Sequence, residues 1–130
     1  MRRLRAVLSM AAVLVALAGC APPPGVTVVL ADVQRAEVTV EGLVIWVDVE
    51  GYLSDGCQHF GTEVRQPASG RVEVDVVQWS VPDTGEFACT MALVPYSLRR
   101  PVAVVLPGVY EVSVRGLGSE SVATVRIPAV

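Results

Sequence analysis

The chain of 130 residues contains no lysine, no asparagine and a single histidine, His59. A nucleophilic hydrolase needs a base beside a nucleophile and an orienting acid. Ser54 and Ser97 lie in no G-x-S-x-G or comparable setting, so the sequence offers no assembled catalytic set. His59 reads as a surface-loop residue after the Asp55-Gly56-Cys57 turn. There is no C-x-x-C pair, and two cysteines with His59 supply at most three ligands, too few for a structural zinc site. Asp48, Glu50 and Asp55 lack EF-hand spacing, and Asp-Gly is ordinary tight-turn chemistry. No catalytic residue, cofactor or metal is therefore expected. From residue 26 onward no stretch shows helical periodicity over a helical length, and there is no internal repeat, low-complexity run or second domain.

What is present begins with an export signal. Met1 to Arg5 (MRRLR) form a basic n-region, and Ala6 to Leu17 form an uncharged apolar h-region. That run is shorter than the about 20 residues a bilayer span requires. It ends in Leu17-Ala18-Gly19-Cys20, which resembles the lipobox of bacterial lipoproteins. In that family the cysteine thiol receives a diacylglycerol, the preceding bond is cut, and the new amine is usually acylated. The resemblance implies that residues 1–19 are a signal peptide and that Cys20 carries lipid. It places the chain at the membrane surface of the cell envelope, on the outer membrane if the organism is Gram-negative, because Ala21 rather than Asp follows Cys20. Two or more acyl chains, at about 0.8 kcal/mol per buried CH₂, hold a protein at a membrane for long times. Residues 20–25, the cysteine and Ala21 to Gly25 (APPPG), read as a short, stiff, extended tether.

Loss of residues 1–19 removes Arg2, Arg3 and Arg5 and leaves seven basic residues against thirteen acidic ones, a formal charge of −6. Nucleic acid demands a basic face, so it is excluded as a partner. Attraction to anionic headgroups is equally disfavoured, which leaves the lipid on Cys20 as the membrane contact. Part of the 52% hydrophobic content and the mean hydropathy of +0.54 belongs to the signal. The rest is valine, whose branched Cβ suits a pleated strand. Once Cys20 is committed to lipid, Cys57 and Cys89 remain, and in an oxidising compartment they are most simply a disulfide. Closing a loop of about 30 residues stabilises by roughly 3 to 4 kcal/mol on the chain-entropy model.

Apolar and polar residues alternate repeatedly in the remainder. In Arg71 to Trp79 (RVEVDVVQW), Val72, Val74 and Val76 face one way and Arg71, Glu73 and Asp75 the other. In Tyr110 to Arg115, Tyr110, Val112 and Val114 face inward. The expected strands are 26–30, 37–40, 43–51, 60–66, 71–80, 102–106, 109–115 and 122–127, separated by turn signals such as SDG, PASG, PDTG and GLGS. The fold class is all-β, an antiparallel immunoglobulin-like sandwich of about seven or eight strands spanning 26–130 with one disulfide. Leu106 to Tyr110 (LPGVY) resembles the tyrosine corner of immunoglobulin-like and fibronectin-like sandwiches, which implies that the Tyr110 hydroxyl bonds a nearby backbone group. Gly51 to Cys57 (GYLSDGC), Ala88 to Tyr96 (ACTMALVPY) and Pro107 to Arg115 together resemble a group of small uncharacterised bacterial lipoproteins with a G-x-L-x-D-G-C motif. That resemblance supports the fold and the disulfide and implies no activity.

Trp46, Trp79 and Tyr96 are the candidate binding surface. If Ile45, Val47 and Val49 face the core, Trp46 shares the opposite face with Asp48 and Glu50, and Trp79 shares a face with Arg71, Glu73 and Asp75 unless Val76-Val77 hides a bulge. Exposed aromatics on a charged face suit binding, while aromatics in small domains usually fill the core. The expected function is that of a non-catalytic, membrane-anchored binding or accessory lipoprotein with an envelope protein as partner. The alternative is an inhibitor of an envelope or extracellular hydrolase, such as a lysozyme or protease, steered to a basic enzyme by its acidic charge.

Overall fold

Alternating branched residues produce eight strands in the computed structural model, which describes residues 22, 24–80, 89 and 91–129. These are β1 (Val28–Leu30), β2 (Arg35–Glu41), β3 (Val44–Leu53), β4 (Gln58–Ala68), β5 (Arg71–Ser80), β6 (Val94–Val104), β7 (Gly108–Gly116) and β8 (Ser119–Ile127). Among the described residues there is no helix. Residues 1–19 and Cys20 lie outside them, as do Ala21 and Pro23 of the tether. Pro24 and Gly25, at the end of the run expected to be extended, form a turn with Gly25 at φ 82°.

Two sheets face each other. In the first, β5 pairs along one side with β4, and along the other with β7 at Arg71–Asp75 and with β1 at Val77–Trp79; β8 continues beyond β7. The second has the order β2-β3-β6. Every ladder is antiparallel except β5–β7, which is parallel. Val72, Val74, Val76, Val112 and Val114 of the first sheet meet Ile45, Val47, Val49, Leu53 and Leu98 of the second, all buried. Each such side chain contributes roughly 1.5 to 3 kcal/mol by leaving water.

The link from β1 to β2 joins the sheets. The Ala31 N–H donates to the Val76 carbonyl (2.9 Å), the Leu117 N–H to the Ala31 carbonyl (2.8 Å) and the Gln34 N–H to the Glu50 carbonyl (2.8 Å). Two glycines make room for this link. A Cβ on Gly51 would overlap the Asp32 carbonyl oxygen, and one on Gly116 would lie 2.8 Å from the Ala31 oxygen.

The eight expected strands are all present, and the largest difference is β6, which begins at Val94 rather than 102 and ends at Val104. Pro95, Pro101 and the Arg99-Arg100 pair interrupt its alternation. They are tolerated because, among the described residues, β6 pairs only with β3 and has one unpaired edge. A register shift opposite Ile45 and Trp46 then brings both Val102 and Ala103 into the core. Cys57 and Cys89 are disulfide-bonded with Cα atoms 5.3 Å apart. The bridge lies at the end of the sandwich where β1, β4 and β6 begin and β3 and β5 finish, here termed the disulfide end. The Tyr110 hydroxyl donates to the Leu106 carbonyl at 2.7 Å, the contact of a tyrosine corner.

Candidate binding surface

The residues of the G-x-L-x-D-G-C stretch each have a structural task. Gly51 admits the Asp32 backbone, Leu53 is buried in the core, and the Asp55 carboxylate accepts the Cys57 N–H at 2.8 Å and the Gln58 side-chain amide at 3.2 Å. Asp55 lies close to both cysteine sulfurs, but those sulfurs are bonded to one another and offer no thiolate ligand. His59 is exposed and stacks on Trp79, its direct cross-strand neighbour, with ring centroids 6.1 Å apart. Ser54 engages the Gln78 side chain, and Ser97 sits exposed on β6 in the other sheet.

Trp46 occupies the outer face of β3, as the alternation requires, with Ile45, Val47 and Val49 buried on the other side. It is half-buried beneath Arg99 of β6, whose guanidinium lies 4.8 Å from the ring centroid. Arg99 reaches across β3 to Glu41 of β2 (2.6 Å) and stands 3.8 Å from Asp48. A cation held over an indole in this way is worth about 0.5 to 1 kcal/mol at an exposed site. The Trp46 Nε1–H has no acceptor among the described residues although it is buried. Glu37 and Glu50 extend the acidic character of this face along the strands.

Toward the disulfide end the same sheet is hollowed into a groove of about 480 Å³ lined by Gln34, Glu50, Gly51, Tyr52, Pro95, Tyr96 and Ser97. Its geometry follows from the register. Tyr52 pairs with Pro95 and Glu50 with Ser97 on the outer face, whereas Gly51 pairs with Tyr96 facing inward. Tyr52 is 44% exposed, and Leu93 (66%) and Met91 (89%) precede β6 at the same end. Asp32 braces the floor. Its carboxylate accepts the Tyr52 N–H (3.1 Å) and the Gln34 amide (2.8 Å), and its carbonyl accepts the Tyr96 hydroxyl (2.6 Å). Burial, with the nearby Asp32 charge, pushes the Tyr96 phenol up to about 12, so it remains a hydrogen-bond donor at any ordinary pH.

Two of the three aromatics expected at the surface are therefore placed differently. Tyr96 is 6% exposed because it points inward over Gly51, where no side chain competes for space, and packs 5.0 Å from the Phe60 ring. Trp79 does share the outer face of β5 with Asp75, with no register shift against β4 in that stretch, yet it is 8% exposed. His59 of β4 and Val28 of β1 flank it on both sides.

The outer face of the first sheet has a different character. Asp75 is buried at its centre and accepts hydrogen bonds from Arg115 (2.8 and 3.0 Å) and Arg65 (2.9 and 3.4 Å); Arg65 also contacts Glu73. Burial would raise the Asp75 carboxyl, but the two guanidiniums outweigh it and hold it below the usual carboxylate range.

The sequence did not single out Tyr52, Pro95, Arg99 or Asp32. Extending the alternation of β6 back through Pro95 would have put Arg99 on the face of Trp46. No sequence signal marks Asp32, whose role depends on a contact with Gly51. No curated protein and no solved structure matches the chain. One protein family, described as the ORF11 beta-sandwich domain, matches residues 47–126, well over half of the chain, running from β3 into β8. With the two-sheet architecture above, the match identifies the chain as a member of the ORF11 beta-sandwich domain family.

Proposed function

We propose that this protein is a lipid-anchored, non-catalytic binding module of the bacterial cell envelope, and that its partner is an envelope protein that inserts a side chain into the groove beside Tyr52. The observation that carries this reading is the groove itself: an exposed tyrosine and a proline form one wall, Glu50 and Ser97 supply a polar rim, and the floor is braced by Asp32. Exposed tyrosine with a polar surround is the composition of a protein-recognition site. Leu93 and Met91 add apolar area next to it. The lipobox supports the anchor, and the chain enters β1 at the same disulfide end where the groove lies.

Intact mass measurement of the native protein tests the anchor. A chain starting at acylated Cys20 that gains two hydrogens on reduction supports it, and an unlipidated mass removes it. A photo-crosslinking side chain placed at the exposed Leu93, beside the groove, tests the partner. Capture of one envelope protein, lost with Pro95→Ala and kept with Glu111→Ala on the opposite sheet, supports the groove; capture that survives Pro95→Ala unchanged removes it. The acidic outer face of the second sheet favours one other reading, inhibition of a basic envelope hydrolase. Unchanged rates for a panel of lysozymes and proteases at micromolar protein would exclude it.

A further inference from the structure

The free strand edges of this sandwich are not treated alike. An unpaired edge is a template for another strand, and proteins blunt such edges with proline, bulges or inward-pointing charge. On β4 the edge carries Pro67 and a register shift between Arg65 and Ala68. On β6 it carries Pro95, Pro101 and Arg100, which shares the inward face with Val47 and keeps its Nε buried. By contrast β8 has none of these: nine residues, Ser119–Ile127, without proline and without a register shift against β7, its single ladder partner among the described residues.

We propose that the free edge of β8 pairs antiparallel with β8 of a second copy of this chain, about a two-fold axis through Ala123. Ala123 is the midpoint of the strand, so this register uses its full length and places Ser119 opposite Ile127 of the mate. It also places Glu120 opposite Arg126, twice over by symmetry, and Val122 opposite Thr124. All four of these residues are exposed and share the outer face, and neither Glu120 nor Arg126 has an ion-pair partner within 4 Å among the described residues. Opposite charges and β-branched pairs directly across a ladder are favourable, and an isologous two-fold contact requires this kind of self-complementarity. Val122, 56% exposed in the single chain, is covered by the mate. The edge of β2 lies beside β8, but its Arg35 and Glu41 are already engaged with Glu37 and Arg99. The rotation keeps each outer face on the same side, so the two five-stranded sheets join into one.

This inference stands apart from the anchor and the groove, and its test is made on the full chain in a non-ionic detergent that masks any lipid. Sedimentation should show a monomer–dimer equilibrium. Glu120→Arg alone and Arg126→Glu alone each set like charges opposite one another at two places and should weaken the dimer about tenfold, while the two together should restore it to within about threefold. Ala123→Cys places two thiols face to face at the axis, within the Cα separation a disulfide accepts, and should give a covalent dimer on mild oxidation, whereas Leu117→Cys should not. A wild-type chain that stays monomeric at about 100 μM, far above a weak micromolar association, would overturn the proposal. A dimer indifferent to the charge exchange, or no cross-link through position 123, would do the same.

Discussion

The two outer faces of the sandwich carry similar residues and use them differently. On the face of β5, Arg65 and Arg115 converge on one buried carboxylate, Asp75, and their hydrogen bonds are directed inward to the sheet. On the face of β3, one arginine, Arg99, lies over a tryptophan whose N–H has no acceptor among the described residues, and beyond it the surface opens into a groove with an exposed tyrosine. The first arrangement fastens three strands together, since β4, β5 and β7 each contribute a member. The second leaves aromatic surface accessible at little cost to the fold. A charged cluster centred on a buried group stabilises; the same residue types around a half-buried ring are available to a partner.

The strongest way to break this contrast is Gly51→Ala. The added Cβ overlaps the Asp32 carbonyl and lies 2.9 Å from the Tyr96 ring, so the link between the sheets must move. A loss of about 3 kcal/mol or more in denaturant unfolding is expected, together with disruption of the groove floor. Next in size is Asp75→Asn, which removes charge-assisted hydrogen bonds from two arginines and should cost about 1 to 3 kcal/mol. In the wild-type chain the folded Asp75 carboxyl holds its proton less tightly than the unfolded one. Its contribution is therefore present above the unfolded value of about 4 and lost as pH falls through the lower folded value, a loss that Asp75→Asn abolishes.

Tyr96 gives the opposite sign at the other extreme. Its folded phenol ionises near 12 and its unfolded one near 10, so stability falls as pH rises between those values. Tyr96→Phe should remove that alkaline loss while costing about 1 kcal/mol at neutral pH through the bond to Asp32. The smallest effect on stability, and the sharpest statement of the contrast, belongs to Arg99→Ala and Tyr52→Ala. Each should shift unfolding by less than about 1 kcal/mol. Tyr52→Ala should nonetheless abolish capture of the proposed partner, whereas Asp75→Asn should leave capture intact wherever the protein remains folded.

Much of this architecture was legible because strand alternation is a local property. Val72, Val74 and Val76, and Ile45, Val47 and Val49, announce which way each strand faces, and the structure buries all six. The LPGVY stretch likewise led to the Tyr110 contact, because donor and acceptor are four residues apart. Where two prolines interrupted the pattern, β6 was read eight residues short, and with it went Arg99 and Pro95, the partners that define the surface around Trp46 and Tyr52. Tyr96 and Trp79 were aromatic candidates whose exposure no local pattern could decide. One turns inward over a glycine, and the other is enclosed by neighbours contributed from β1 and β4.

The sequence by itself determined the all-β class and the inward faces of the long strands, since periodicity needs no partner to be read, and it led to the pairing of Cys57 with Cys89 through the lipobox resemblance that sets Cys20 aside. Only the tertiary structure decided that Asp75 lies between two arginines, that Asp32 braces the groove through Gly51 and Tyr96, and that β8 is left with an unguarded edge. Those outcomes depend on which strands become neighbours, and strand order is set by the packing of two whole sheets rather than by any segment within them.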